Sequence, residues 1–184
     1  MRHHLRTIMS YTQQGKYQEM MEYLQEYASV ITEGEKLICY CRNMAVDAVI
    51  HFYAGELRKK GIPFECDMML PQNIGISDTD LCKIYGNLLE NAVDAVKDLL
   101  PENKPYVKML TKVKNKKLLI EISNPYSNEI QRREKVFYST KHEGFGIGTA
   151  SVAEVVQRMG GYVVFNTEEG IFKVNIFLPV KTVQ

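Results

Sequence analysis

The sequence lacks the features that hold a chain in a membrane or cross-link it. It has no run of about eighteen apolar residues and no secretory leader, so we expect none of its segments to span a membrane. Its four cysteines, Cys39, Cys41, Cys66 and Cys82, show no zinc-finger spacing, and only the first two lie close together. We therefore expect four reduced thiols in a cytoplasmic chain.

An excess of charge of either sign is also missing. Lys and Arg number 23, Asp and Glu number 22, and the net charge is +1. A nucleic-acid partner requires a basic surface, so this balance argues against one. With 184 residues, 45% of them hydrophobic, the chain is long enough to bury one sizeable core.

The two commonest phosphate-binding motifs are absent, although a glycine-rich segment is present. Residues 144–148 read Gly-Phe-Gly-Ile-Gly, without a strand leading into them or a Gly-Lys-Ser/Thr after them, which excludes a dinucleotide fingerprint and a P-loop. Glycines at alternate positions nevertheless let backbone N–H groups approach an anion, and the amphipathic segment 150–159 adds the positive end of a helix. The segment predicts a phosphate cradle, with a flexible turn as the alternative.

Residues 80–97 predict an amphipathic helix with an unusual polar face. Its apolar residues recur with the 3–4 spacing of a helix packed on a core. They are Leu81, Ile84, Tyr85, Leu88, Leu89, Ala92, Ala95, Val96 and Leu99. An arc of roughly 100° on the other side carries Asn87, Glu90, Asn91 and Asp94. Solvated faces usually mix Lys and Glu, whereas amide and carboxylate oxygens are ligands that Mg²⁺ prefers, so we expect a magnesium–nucleotide site rather than a solvated surface.

The first 35 residues predict two helices. One begins near Leu5 and breaks at Gln14-Gly15, and the second carries an apolar stripe from Tyr17 to Ile31. Two antiparallel helices with apolar stripes form half of a four-helix bundle, so we expect a homodimer through them. The alternative is that both helices pack on their own domain.

The rest of the chain predicts alternating strands and helices. We expect a short strand at 36–40, a helix from 43 to about 60, a strand through 69, and a hairpin of strands at 105–113 and 117–124. Ser77 or Asp78 is expected to cap the helix that carries the polar arc. Residues 125–147 have few apolar residues and no clear period.

The polar helix and the glycine-rich segment, in this order and with a strand between them, resemble the ATP-binding domain of the GHKL superfamily. Within it the chain resembles a bacterial sensor histidine kinase over about residues 37–180. Residues 87–92, Asn-Leu-Leu-Glu-Asn-Ala, are similar to the kinase N box, and 144–148 to the second glycine box. Three further segments, residues 160–162, 169–172 and 177–179, resemble the closing strand, the hairpin and the terminal Leu-Pro of that domain, in that order.

The resemblance implies an α/β sandwich of the Bergerat type, a mixed sheet covered on one face by helices, behind a short helical hairpin. Residues 1–35 would be a partial dimerisation and phosphoacceptor hairpin, and 36–184 the ATP-binding catalytic domain. The implied function is that of a two-component sensor histidine kinase. Such an enzyme transfers the γ-phosphate of ATP to a histidine and onward to an aspartate of a response regulator. The chain would then be the cytoplasmic part of a membrane-bound sensor, and this part would make no contact with the membrane.

The same resemblance implies a set of site residues. Those expected at ATP are Asn87, Asn91, Asp94, Asn124, Gly144, Gly146, Ile147 and Gly148. Asn91 and Asn87 would also hold Mg²⁺, and Asn124 would read adenine. Glu90 would assist the Mg²⁺ shell or the acceptor histidine, and Lys141 would place a positive charge on the β- or γ-phosphate.

Two departures from the family pattern narrow the assignment. Most members have Asp-x-Gly-x-Gly for adenine recognition, whereas residues 123–126 read Ser-Asn-Pro-Tyr, as in the peptide-quorum-sensing branch. An Asn can both donate to and accept from adenine, although an Asn-Pro turn closing a strand is equally compatible. Where hydrolysing relatives carry a water-activating Glu, this chain has Asn87, which cannot act as a general base. Phosphate transfer to a side chain is therefore favoured over hydrolysis.

The phosphoacceptor has two possible registers. Residues 2–7, Arg-His-His-Leu-Arg-Thr, resemble the kinase H box if His3 is the acceptor, but His4 then stands where an acid should orient the imidazole. In the second register, which we favour, the acceptor lies before Met1 and the chain binds ATP without its own acceptor. Two other functions stay open, a GHKL nucleotide-binding protein that acts as a serine kinase of the anti-sigma type, and a degenerate docking and dimerisation module.

Overall fold

The computed structural model describes residues 2–23, 38–126 and 147–180. These residues fall in two compact units, Met1–Ile38 and Cys39–Gln184. The boundary predicted after residue 35 lies outside the described ranges and stays a prediction. Among the described residues, no helix is both long enough and apolar enough to cross a membrane.

The N-terminal unit contains a helical hairpin. Helix α1 (Arg2–Gln13) ends in a turn at Gly15, whose φ of 66° is readily adopted only without a side chain, and α2 covers residues 17–23 of the described range. The rings of Tyr11 and Tyr23 have centroids 6.1 Å apart, and the Thr12 hydroxyl lies 3.4 Å from the Met20 sulfur. The predicted break at Gln14-Gly15 is therefore confirmed.

The second unit is built on a mixed five-stranded sheet of order β1-β2-β3-β5-β4. The strands are β1 (Phe64–Met69), β2 (Val107–Lys114), β3 (Lys117–Pro125), β4 (Tyr162–Glu168) and β5 (Ile171–Pro179). Only the β1–β2 pair among them is parallel, and the other three pairs are antiparallel. The predicted hairpin turns at Asn115 and Lys116, both with positive φ.

Three helices, α3 (Met44–Lys59), α4 (Asp78–Val96) and α5 (Ile147–Arg158), cover one face of the sheet, and a short 3₁₀ helix (Pro101–Asn103) follows α4. Alternate residues of the central strands are buried beneath them, including Met109, Ile120 and Ile176. The opposite face carries cross-strand ion pairs, Glu65–Lys108, Asp67–Lys112 and Glu121–Lys173, at 3.0, 3.6 and 2.9 Å. This pattern confirms the predicted α/β sandwich with helices on one face.

Helix α4 lies at the centre of the helical layer, where it contacts both α3 and α5. Its sequence specifies which side is buried and where the helix begins. Its apolar face is buried from Leu81 to Val96, as the 3–4 spacing predicts. The Ser77 hydroxyl accepts a hydrogen bond from the Asp80 amide and caps the helix. The buried Asn43 caps α3 through Val46 and donates to the Asp78 carboxylate at 2.9 Å, so one amide joins both helix starts.

A buried hydrogen bond ties α4 to the sheet. The Tyr85 hydroxyl and the Thr111 hydroxyl of β2 lie 3.0 Å apart, and both residues are fully buried. Burial raises the pKa of Tyr85, so its O–H group remains intact. Because an unpaired hydroxyl in an apolar core is unfavourable, this pair restricts how α4 lies over β2.

The strand predicted at 36–40 is wrong for the residues that the structure describes. Residues 38–41 form no strand. Instead the backbone amides of Tyr40 and Cys41 donate to the Asp47 carboxylate of α3, at 2.7 and 3.1 Å. A side chain six and seven residues further along the chain thus takes two backbone donors that a neighbouring strand could have paired.

The four cysteines, all within the described ranges, are free thiols. Burial raises the pKa of Cys41 to about 11 and that of Cys66 to about 12. Both thiols are therefore protonated at neutral pH and are poor metal ligands or nucleophiles. Cys39, which is exposed, donates to the Cys41 carbonyl.

We expect Gly161→Ala to destabilise the second unit. An added Cβ would lie 2.5 Å from the Phe177 carbonyl oxygen and 2.6 Å from a Leu178 methyl. Such overpacking lowers the free energy of unfolding by about 1–3 kcal/mol, measured by urea denaturation. The matched control is Gly55→Ala on α3, where the added Cβ meets nothing within 4 Å and a small gain is expected. Equal stability of the two variants would contradict the close packing of residue 161 on β5.

Candidate functional site

The polar arc of α4 divides into two halves in the structure. Asn87 and Asn91 are half-buried, whereas Glu90 and Asp94 are exposed. The amide pair is directed towards the start of α5, while the acid pair lies on the side of α3. The four residues therefore do not act as one cluster.

The amide pair contacts the first turn of α5 at Gly148. A Cβ added to Gly148 would lie 3.2 Å from the Oδ1 atoms of both Asn87 and Asn91. Such contacts are tighter than ordinary van der Waals packing, so a residue with a side chain would force the amides or the helix to move. The structure thus brings two residues of the first sequence motif, Asn87 and Asn91, next to one residue of the second, Gly148, more than fifty positions away.

The orientation of the Asn87 amide leaves its oxygen facing α5. Its Nδ2 donates to the Lys83 carbonyl oxygen one turn earlier, at 2.6 Å. The donor half of the group is therefore used within α4, and Oδ1 faces Gly148. Two amide oxygens beside a helix N-terminus combine a hard cation ligand set with an anion-binding position.

The acid pair lies beside Tyr53 of α3. Burial raises the pKa of Tyr53, and the charges of Glu90 and Asp94 raise it further. Asp94 also accepts a hydrogen bond from Lys97 at 2.7 Å, and this bond raises the pKa of Lys97. Asp94 is thus already paired with a cation on its own helix.

Asn124 is placed on the inner face of β3, where it is 1% exposed. Its Nδ2 donates to the Pro125 carbonyl oxygen at 2.9 Å. The strand continues through Pro125, so the residue lies at the end of β3 rather than in a turn.

The remaining predicted site residues lie outside the described geometry. Lys141, Gly144 and Gly146 belong to residues 127–146, and only the backbone of Ile147 is described, as the start of α5. His3 lies on α1 in the N-terminal unit, and its side chain is not described. Their roles stay predictions.

Two residues at the site were missed by the sequence reasoning. Thr149, next to Gly148, is a buried hydroxyl in the first turn of α5, and its place directly after the glycines was an available signal. Tyr53 was missed because its proximity to Glu90 and Asp94 depends on how α3 packs on α4. No sequence period reports that packing.

The donor set of the site suits a metal that arrives with other ligands. Among the described residues, no group of three or more His, Cys, Asp or Glu side chains could hold a metal ion. Two amide oxygens alone do not make a cage, but Mg²⁺ usually retains waters and takes phosphate oxygens as further ligands. The arrangement of Asn87 and Asn91 therefore fits Mg²⁺ bound to a phosphorylated ligand.

Comparison with known proteins identifies relatives of this architecture. Residues 76–179 match the family model described as GHKL domain. The sensor protein CitS of Bacillus subtilis (strain 168) is 26% identical over 186 residues, which cover 95% of this chain and 33% of CitS. The chain thus spans about a third of the length of that relative.

Solved structures share the fold at low identity. The nucleotide-free catalytic domain of histidine kinase ThkA superposes with a TM-score of 0.54 and 18% identity, covering 74% of this chain and 92% of ThkA. Full-length ShkA in complex with AMPPNP superposes with a TM-score of 0.54 and 19% identity. The match covers 76% of this chain and 30% of ShkA. Histidine kinase AdeS of Acinetobacter baumannii superposes with a TM-score of 0.50 and 14% identity. The match covers 93% of this chain and 82% of AdeS. The likeness concerns the arrangement of sheet and helices.

We expect Gly148→Ala to disturb the amide pair without unfolding the sheet. The added methyl enters the space beside both Oδ1 atoms, so the side-chain NH₂ signals of Asn87 and Asn91 should shift in a ¹H–¹⁵N spectrum. The backbone amides of β2 and β5 should keep their positions. Gly86→Ala, which adds a Cβ to α4 with nothing within 4 Å, is the matched control. Unchanged side-chain signals in Gly148→Ala would show that α5 does not approach α4 closely.

Proposed function

The chain belongs to the GHKL domain family, and on that premise we propose that it is the ATP-binding catalytic region of a two-component sensor histidine kinase. It would transfer the γ-phosphate of ATP to a histidine, from which the phosphoryl group passes to an aspartate of a response regulator. The proposal is supported above all by the close approach of Gly148 to the two amides, since a Cβ added there would lie 3.2 Å from Oδ1 of both Asn87 and Asn91. That contact joins a cation ligand pair to the N-terminus of a helix, as a metal–triphosphate complex requires.

Each side chain has a defined part in the proposed complex. Asn91 and Asn87 would hold Mg²⁺ through their amide oxygens, and the ion would supply positive charge that offsets the negative charge of the phosphates. Gly144, Gly146, Ile147 and Gly148 supply backbone N–H groups to the phosphates. Asn124 accepts from or donates to the adenine edge from the inner face of β3.

Two further side chains would act on the transferring group. Lys141 would balance the negative charge that spreads over the γ-phosphoryl oxygens, and Glu90 would assist the Mg²⁺ shell or orient the acceptor histidine. We assign Asp94 a weaker part, at the rim of the nucleotide site, because Lys97 already pairs with it.

The chemistry proposed is transfer rather than hydrolysis. A neutral histidine nitrogen attacks the γ-phosphorus, the bond to the β–γ bridging oxygen breaks, and ADP leaves while the imidazole loses its proton. Asn87 stands where a carboxylate would activate water, and an amide cannot accept that proton at neutral pH. Water is therefore a poor competitor of the histidine.

The acceptor and the partners complete the proposal. The acceptor is either His3 on α1 or a histidine upstream of Met1, a choice that the similarity to one third of CitS leaves open. The N-terminal helices would pair with those of a second copy, giving a homodimer. The working site is cytoplasmic, in a sensor whose other parts lie outside this chain.

We expect Mg²⁺-dependent ATP binding that Asn91→Ala weakens by about tenfold or more, because loss of a metal ligand or its support usually has that size. Isothermal calorimetry measures it. Asn175→Ala is the matched control, since Asn175 is a half-buried asparagine on the outer face of β5. Equal affinities of the two variants would contradict the site assignment.

The product identifies the reaction. Label from γ-labelled ATP should enter this chain, or a longer one carrying the upstream histidine, in an acid-labile form, since phosphohistidine hydrolyses in acid. Acid-stable label on a partner would instead indicate a serine kinase of the anti-sigma type. No binding of ATP at millimolar concentration with Mg²⁺ would leave a docking and dimerisation module.

A further inference from the structure

An ion pair joins the far ends of the two helices that form the proposed nucleotide site. Arg158, the last residue of α5, places Nη2 2.5 Å from Oδ1 of Asp80 in the first turn of α4. The residues are 78 positions apart in the sequence. Arg158 and Asp80 have 57% and 21% of their side-chain surface exposed.

The pair and the glycine contact together fix the register of the two helices. Gly148 meets α4 near residues 87 and 91, and Arg158 meets it at Asp80. At 1.5 Å per residue, the contact points are about 13 Å apart along α4 and about 15 Å apart along α5. The helices therefore run antiparallel, and a shift of either contact by one helical turn would break the other.

Asp80 is the fixed member of this pair. Its Oδ2 accepts a hydrogen bond from the Ser77 hydroxyl at 2.8 Å, and its own amide donates back to that hydroxyl. This reciprocal cap leaves Oδ1 for Arg158. Each charge also suits its position, an anion at the start of α4 and a cation at the end of α5.

The apolar contacts of α5 do not specify its register by themselves. Among the side chains of α5 that the structure describes, from residue 148 onward, the buried apolar ones are Val152, Val155 and Val156. Branched side chains of equal size determine which face of a helix is buried, but apolar contact is non-directional and resists sliding weakly. The ion pair of Arg158 at the C-terminal end of α5 is directional. It therefore resists sliding of the helix, which the valine contacts do only weakly.

We infer that Asp80 and Arg158 form a positioning pair that holds the first turn of α5 against the amide oxygens of Asn87 and Asn91. This inference rests on the proposed function insofar as those oxygens hold Mg²⁺ on ATP. Both members lie about 13–15 Å along their helices from the Gly148 contact, so neither would touch the nucleotide. An exposed ion pair contributes little to the free energy of unfolding, so the fold should persist when the pair is removed. The lost contact should instead alter the position of α5 at the site.

The experiment compares Arg158→Gln, Asp80→Asn and their double variant. Asn at position 80 keeps an oxygen for the Ser77 hydroxyl, so the cap is preserved and only the ion pair is lost. We expect each single variant to weaken Mg²⁺-ATP binding about threefold to tenfold, with the double variant no weaker than either, as for two groups acting through one contact. Arg158→Lys should restore part of the affinity.

The matched control is Lys173→Gln, which breaks the Glu121–Lys173 pair on the outer face of the sheet, also between partly exposed residues. It should leave ATP affinity unchanged. The inference is overturned if Arg158→Gln binds ATP as the wild type does, if the control loses as much, or if the two single effects add in the double variant.

A second readout separates this inference from the proposed function. In protein without nucleotide, Arg158→Gln should shift the side-chain NH₂ signals of Asn87 and Asn91, and Lys173→Gln should not. If the wild type binds no ATP, the proposed function fails, yet these signals still test the pair. Unmoved signals in Arg158→Gln overturn the positioning role whatever the nucleotide result.

Discussion

The site depends on how closely α5 can approach α4. The approach depends on residue 148 having no side chain, because an added Cβ would lie 3.2 Å from the Oδ1 atoms of Asn87 and Asn91, closer than ordinary van der Waals contact. In the proposed complex, a shift of α5 away from α4 would separate its N-terminal amides from the amide oxygens that share the same ligand. The buried face of α4 and its hydrogen bond to β2 hold the other half of this contact in place, and under the proposed function they would support the nucleotide site.

The separation of amides from acids on α4 gives the helix two different surfaces. Asn87 and Asn91 present uncharged amide groups to α5, so in the proposed complex a metal there would keep its full charge towards the phosphates. Glu90 and Asp94 lie towards Tyr53 of α3, and Lys97 is bound to Asp94. A cluster of four carboxylates, or of carboxylates and amides together, would bind a bare cation. Two amides alone favour a cation that arrives already bound to phosphate groups.

Much of the fold follows from local patterns in the sequence. The 3–4 spacing of Leu81 to Val96 predicts α4 and its polar face, Ser77 predicts its start, and the lysine-rich turn predicts the β2–β3 hairpin. The error at residues 36–40 has a physical reason, since the β-forming pattern of Ile38 to Tyr40 was overridden by the carboxylate of Asp47. Periodicity reports which face of an element is buried but not which side chain takes its backbone donors.

The site was predictable only in part. The polar arc placed Asn87, Glu90, Asn91 and Asp94 on one face, as the structure does, but tertiary packing divides that face between α3 and α5. The contact between Asp80 and Arg158 has no local signature, because it depends on the relative register of two helices far apart in the chain. For the same reason Tyr53 was not foreseen.

The most direct measurement is the paramagnetic broadening of amide signals when Mn²⁺ replaces Mg²⁺ in the presence of ATP. Broadening falls steeply with distance from the ion, so it locates the metal without a variant. We expect the strongest broadening at the side-chain amides of Asn87 and Asn91 and at the backbone amide of Gly148, and none at Asn175 on the outer face of the sheet. Broadening centred on Glu65 and Asp67, or broadening that does not require ATP, would contradict it.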